Sequence, residues 1–190
     1  MEHNTTEEMC IRDRLCGNIP ADLPAVNHFH APSPYPPVEV EGQNLRYAQI
    51  LHQDTASAQG EFTAVNLYIY QSWLFDAVSP GAGKIMRELA IVEMHHLDLL
   101  SRVINLLGGD PTFSAVRNNR SIVWNGSMVH YCKSFPQMIR YNIKAEQEAV
   151  ATYRRHLTLI KDVHIQALIE RIIQDEEVHL SIFRKMLECI

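Results

Sequence analysis

Glu61, Glu93, Glu146 and Glu176 each fall on the apolar face of a different segment with helical periodicity. A chain that packs these segments together must therefore bury four carboxylates. Around Glu61 the same face carries Ala58, Val65 and Tyr68; around Glu146 it carries Ile139, Ile143, Val150 and Tyr153; around Glu176 it carries Ile172 and Phe183. An unpaired buried carboxylate costs on the order of several kcal/mol, and a whole domain is stable by only about 5–15 kcal/mol. Four of them require positive charge among them.

His96 follows Glu93, and His179 follows Glu176, at a spacing of three residues that puts each pair on one helical face. The stretches are IVEMHHLDLL and QDEEVHLSIF. Four carboxylates and two neutral imidazoles balance two divalent cations and leave a neutral interior. One Glu from each of two helices plus a Glu-x-x-His from each of the other two is the inward-facing dimetal arrangement of helical bundles. Mixed oxygen and nitrogen donors suit iron or manganese, whereas an all-oxygen site would suit magnesium or calcium, and thiolates are absent from the pattern.

The helical segments run from Asn44 to Phe75, from near Ala82 to the LGGDP of residues 107–111, from Phe135 to Ile160, and from Val163 to the end. Paired glycines before Pro111 stop the second helix, and Pro136 suits the first turn of the third. Short connections near residues 76–81 and 161–162 imply two antiparallel pairs. The intervening loop of about 24 residues, rich in Asn, Ser and Gly with at most one short element, can cross the length of a bundle. The spacing predicts an all-α four-helix bundle with one long crossover between helices 2 and 3, with no β-rich segment competing. Six of the nine prolines lie between Pro20 and Pro37, a density that forbids a helix or central strand. Residues 1–43 are expected as an extended Pro-rich arm and residues 44–190 as the bundle. Whether the arm lies on the domain, packs on a partner subunit or is disordered stays open.

A chain of 190 residues implies one domain with or without such an arm. No apolar run approaches the roughly 18 residues of a membrane span, so no membrane is expected. The net charge of −5 without a basic stripe argues against nucleic acid. The acidic, polar start MEHNTTEEMC lacks the basic and apolar regions of a secretory signal, which predicts a cytoplasmic protein. Cys10, Cys16, Cys132 and Cys189 are scattered and form no CxxC pair, so reduced thiols are expected. The sequons at Asn4, Asn119 and Asn125 then carry no glycosylation meaning.

These motifs resemble the ferritin-like superfamily. GEFTAVNLYIY is similar to the first helix of rubrerythrins and bacterioferritins, VEMHHLDLLSRVINLLGGDP to their second, and DEEVHLSIF to their fourth, a likeness covering residues 44–190. The resemblance implies that Glu61, Glu93, His96, Glu146, Glu176 and His179 hold two iron or two manganese ions, with Glu93 and Glu176 bridging. It implies redox chemistry on peroxide or dioxygen. Either a rubrerythrin-like peroxidase or oxidase with an external electron donor, or a manganese-catalase-like enzyme that needs none, would satisfy it. From other classes come iron storage, as in bacterioferritins, and a structural protein with a metal staple. The rubredoxin-like CxxC module of full rubrerythrins is missing, so an intrinsic electron donor is not expected. The sequence stops eleven residues after His179, too few for the extra short helix of cage-forming ferritins. A homodimer or small homo-oligomer is expected rather than a shell.

Tyr68 and Tyr153 lie one helical repeat beyond Glu61 and Glu146 and are candidates to hydrogen-bond a ligand or to serve in redox chemistry, against simple packing. Asp175 is placed to orient His96 from behind, whereas the equivalent residue on the second helix is Val92, which predicts an asymmetric site. Glu148 and Glu177 are rotated off the inward face and read as solvated. His95 lies about 100° around the helix from His96. Met94 sits where bacterioferritins carry a haem-binding methionine, but packing accounts for it better and haem is not expected. His28 and His30 are expected to face solvent.

Overall fold

The structure, a computed structural model, describes residue 26, residues 28–117 and residues 120–189. Cys10, Cys16, Asn4, Asn119 and the first part of the arm lie outside the described residues. Helix α1 (Leu45–Ala56) begins at Asn44, whose side-chain oxygen accepts from the backbone N–H groups of Arg46 and Tyr47. Helix α2 spans Glu61–Asp76. Helix α3 (Pro80–Leu106) is capped by the Ser79 side chain and opens on Pro80, where a missing N–H costs nothing. It ends at Gly108, whose φ of 84° favours glycine. Helix α4 (Phe135–Leu159) carries Pro136 in its first turn, and α5 (Val163–Glu188) is capped by Asp162, which accepts from His164 and Ile165 N–H.

The expected first helix, Asn44 to Phe75, is two helices. The chain leaves the helix at Ser57, extended at ψ 176°, and re-enters through Gly60, extended at ψ 167°. A side chain at Gly60 would put its Cβ 2.6 Å from the Asp54 carbonyl oxygen, so the tight return requires glycine. Thr63 Oγ1 donates to the Ser57 carbonyl at 2.8 Å, which also accepts from the Gly60 N–H at 3.1 Å and so ties the break to the start of α2. The consequence is positional: Glu61 stands in the first turn of a helix, where the positive end of the backbone dipole favours an anion.

The long connection between α3 and α4 holds more than the one short element expected. Ser114–Arg117 (β1) and Arg120–Val123 (β2) pair antiparallel, with Ser114 opposite Val123 and Ala115 opposite Ile122. The physical reason is in the sequence: β-branched residues flank a central Asn-Asn, a hairpin signal that polar composition masks. A 3-10 turn at Gly126–Met128 follows.

Two apolar clusters make the core. One gathers Phe75, Met86, Leu89, Phe135, Met138 and Phe183; the other gathers Leu51, Leu100, Ile104, Ile165, Ile169 and Ile172. Along α3, α4 and α5 the first cluster occupies one end of each helix and the second the other. The inward glutamates fall between them. Buried polar pins tie the helices together. In one, a reciprocal amide pair, Gln71 on α2 donates to Asn142 Oδ1 at 3.0 Å and Asn142 on α4 donates to Gln71 Oε1 at 2.7 Å. Another joins Asp54 on α1 to His156 on α4 at 2.8 Å. No described helix is long and apolar enough to cross a membrane.

Residues 28–43 are non-helical and lie against their own bundle. The Glu41 N–H reaches Asp162 Oδ2 at 2.7 Å, and the Asn44 N–H reaches the Leu107 carbonyl at 3.0 Å. His28 and His30 are exposed, as expected.

Candidate metal centre

The structure brings together all six of the expected ligand residues. Glu61 comes from α2, Glu93 and His96 from α3, Glu146 from α4, and Glu176 and His179 from α5, and every one is buried. Two overlapping sets form. In one, donor atoms of Glu61, Glu93, His96 and Glu176 all lie within 4.8 Å of one another; in the other, those of Glu93, Glu146, Glu176 and His179 do. Glu93 and Glu176 belong to both sets.

The tautomers follow from what stands behind each ring. His96 Nε2 is 2.9 Å from Asp175 Oδ2, and His179 Nε2 is 3.0 Å from the Phe29 carbonyl oxygen. Both partners only accept, so Nε2 carries the hydrogen in each ring and a neutral ring turns its Nδ1 lone pair toward the carboxylates. His96 Nδ1 is 3.3 Å from Glu93 Oε2, 3.3 Å from Glu176 Oε1 and 3.6 Å from Glu61 Oε2. His179 Nδ1 is 2.9 Å from Glu93 Oε1, 3.2 Å from Glu176 Oε2 and 3.6 Å from Glu146 Oε1.

Glu93 Oε1, Glu176 Oε2 and His179 Nδ1 are buried without a hydrogen-bond partner. Unsatisfied buried acceptors are costly, and three converging on one point fit a cation between them. Without cations the cluster must bind protons instead. Burial and the Glu93 and Glu176 charges push the Glu61 and Glu146 carboxyls well above their usual range. Burial alone would lower both imidazoles, but the carboxylates around them raise His96 and His179 well above the usual value. Burial likewise opposes ionisation of Glu93 and Glu176, yet the neighbouring imidazoles overcome it and hold both below the usual range.

Tyr68 donates its hydroxyl hydrogen to Glu146 Oε1, and Tyr153 donates to Glu61 Oε1. Each tyrosine thus reaches across to the outer glutamate of a different helix rather than the one it follows in sequence. Burial, together with the adjacent carboxylates, pushes both phenols well above their usual value, so both stay protonated donors. Asp175 stands behind His96, whereas His179 has a backbone carbonyl behind it. Glu148 and Glu177 are exposed and pair with Lys144 and Arg154. His95 is exposed and meets Tyr35 edge-on with ring centroids 4.6 Å apart, and Met94 is exposed.

Sequence reasoning missed Phe29, Ala31, Tyr35 and Arg171, which support the two imidazoles from behind. Arg171 carried a signal, since it stands four residues before Asp175, but a backbone acceptor such as the Phe29 carbonyl leaves none. A cavity of about 60 Å³ touches the cluster and is bordered by Gly60, Glu61, Tyr68, Glu93, Glu146 and Glu176. Its other walls include the exposed Ala58 and Gln59 at the helix break, so it runs from the carboxylates to the surface.

Known proteins share this fold. A probable manganese catalase from Clostridium acetobutylicum is 24% identical over 79% of this chain and 74% of its own length. A bacterioferritin from Desulfovibrio desulfuricans is 26% identical over 77% of this chain and 76% of its own. Among solved structures, a manganese catalase from Anabaena superposes with a TM-score of 0.74 at 24% identity, covering 85% of this chain and 80% of that one. The bacterioferritin of Desulfovibrio desulfuricans, described with a diiron site, gives 0.64 at 23% identity over 75% and 78%. The sequence matches the ferritin-like domain over residues 55–190, and the chain therefore belongs to the ferritin-like domain family.

Proposed function

We propose that this chain is a dimetal oxidoreductase that disproportionates hydrogen peroxide, turning two peroxide molecules into two waters and one dioxygen. The carrying observation is the cavity that runs from the surface to the shared carboxylates: at about 60 Å³ it has room for a peroxide molecule and a few waters beside Glu93, Glu146 and Glu176. Glu61, Glu93, His96 and Glu176 would hold one ion, and Glu93, Glu146, Glu176 and His179 the other, with Glu93 and Glu176 common to both. When bound, the metal pair supplies the cycling between oxidation states that lets one peroxide be oxidised and the next reduced.

The chain's own residues do the rest. Tyr68 and Tyr153 hold the outer carboxylates by single hydrogen bonds: Tyr153 fixes Glu61 Oε1 and leaves Oε2 toward His96, whereas Tyr68 fixes the same Glu146 oxygen that approaches His179. Asp175 and the Phe29 carbonyl keep both Nδ1 atoms aimed inward. The two apolar clusters exclude bulk water on either side, so the carboxylates act in a low-dielectric site. The two manganese catalase relatives support peroxide as the substrate and manganese as the metal.

Elemental analysis of the purified protein and oxygen release from peroxide, without added reductant, test this reading. Oxygen evolution with about two manganese per chain supports it. Peroxide consumption only in the presence of an electron donor would move the assignment to a peroxidase. The bacterioferritin relative favours a second reading, iron storage, which predicts a large hollow particle taking up many irons per chain. Light scattering separates that outcome from the dimer or small oligomer proposed here.

A further inference from the structure

The arm meets the bundle at the rear of the two imidazoles. Asp175 receives four donors: the Ala31 N–H at 2.7 Å and Arg171 at 2.5 Å on Oδ1, and the Tyr35 hydroxyl at 2.5 Å and His96 at 2.9 Å on Oδ2. Arg171 also donates to the Ala31 carbonyl at 2.9 Å and the Ser33 carbonyl at 2.7 Å, and its guanidinium lies 4.1 Å from the centre of the Tyr35 ring. Two residues upstream of Ala31, the Phe29 carbonyl accepts from His179. Residues 29–35 thus complete the support of both rings, and they lie ahead of the stretch that matches the family, residues 55–190.

We propose that residues 29–35 are a positioning element of the metal centre, which backs one imidazole with an arm-clamped carboxylate and the other with a neutral carbonyl and so makes the two metal positions unequal. Each position otherwise has the same donor set, three carboxylates and one imidazole. A charged acceptor behind a ring raises the donor strength of its other nitrogen more than a neutral one does. The position served by His96 is therefore the tighter and fills first. The clamp matters because Asp175 acts through its orientation: with both oxygens already committed to arm and Arg171, only one direction remains for His96. Tyr35 and Asp175 are positioning residues and touch no bound ion.

This inference rests on the dimetal reading and is tested on the full metal-free chain by titration with Co(II), followed by visible absorption and calorimetry. The wild type should fill in two resolved steps. Asp175→Asn should weaken the tighter step by about 10–100-fold and leave the other within about threefold, and Tyr35→Phe should weaken the same step by about 3–10-fold. Both should shift the absorption band of the first ion, a signature that loss of fold stability alone would not produce. Circular dichroism of the metal-free variants checks folding, and Tyr35→Phe decides alone if Asp175→Asn does not fold. Two indistinguishable steps in the wild type, or folded variants that leave the first step unchanged or weaken both equally, would overturn the proposal. Failure of the wild type to bind Co(II) would remove the dimetal reading and this inference together, whereas binding of two ions with the wrong step pattern removes only this one.

Discussion

Tyr153 on α4 donates its hydroxyl hydrogen to Glu61 on α2, tying the outer carboxylate of one helix to a phenol on another. Tyr68 and Glu146 make the converse link, from α2 to α4, so the two helices carrying a lone glutamate exchange support.

Replacing either phenol tests this exchange. Tyr153→Phe removes one hydrogen bond to a charged group, worth about 1.5–3 kcal/mol, and no packing volume of consequence. The expected result is full metal content at saturation with oxygen release from peroxide reduced by about tenfold, read with an oxygen electrode. An unchanged rate would mean that the orientation of Glu61 does not matter.

Glutamine variants should sort the carboxylates into two classes. Glu93→Gln or Glu176→Gln removes a donor from both sets and should take the metal content from about two per chain toward none. Glu61→Gln removes a donor from one set only and should leave about one ion. Because burial and the Glu93 charge already favour the protonated form of Glu61 in the metal-free protein, Glu61→Gln should cost its thermal stability little. Elemental analysis and a melt of the stripped protein check both halves; equal metal loss in all variants would contradict the shared roles of Glu93 and Glu176.

Acidity should act in opposite directions on the loaded and stripped forms. His96, His179, Glu61 and Glu146 all have raised affinities for protons in the metal-free cluster, so an incoming cation must displace protons. Mn(II) affinity should therefore fall by at least about one order of magnitude per pH unit between about pH 8 and about pH 6. The sign reverses for stability without metal. Groups with raised folded values favour folding below their unfolded values, and that contribution is lost as pH rises through the folded ones, so the stripped protein should melt lower in alkali. Stability is also lost in strong acid, as the depressed Glu93 and Glu176 become protonated. Calorimetric titration and melting curves across this window decide the matter; a pH-independent affinity would contradict it.

Gly60→Ala addresses the helix break. The added methyl would sit 2.6 Å from the Asp54 carbonyl oxygen and 2.9 Å from the Thr55 carbonyl carbon, both backbone atoms that cannot swing away. A loss of about 1–3 kcal/mol in denaturant unfolding is expected, with a drop in metal affinity because Glu61 moves with the chain. Wild-type stability in this variant would show that the loop has slack.

Most of the bundle could be read in advance because its helices are long and their apolar faces have a clear period. Caps at Asn44, Ser79 and Asp162 and the glycine stop at Gly108 place most ends near where expected. The convergence of Glu61, Glu93, Glu146 and Glu176 was legible for the same reason: a charge on an apolar face is too costly to persist unless something neutralises it. The break before Glu61 was not, since Ser57, Gln59 and Gly60 interrupt a periodicity that resumes with little change of phase. The hairpin at Ser114–Val123 was hidden because its second strand is exposed and presents no alternation of burial. The pairing of Tyr68 with Glu146 and Tyr153 with Glu61 depends on which helices lie side by side, and the Phe29 carbonyl depends on the path of a backbone; neither is encoded in a local pattern.

A carboxylate at a helix terminus and three in helix interiors do not open at the same cost. The first amides of α2 have no carbonyl of their own helix to bind, while those around Glu93, Glu146 and Glu176 sit in unbroken ladders. Hydrogen exchange at residues 61 and 62 should accordingly outpace that at the other three sites. The side of the chamber formed by the first turn at Glu61 is then the first to loosen, while the rest of the scaffold stays shut.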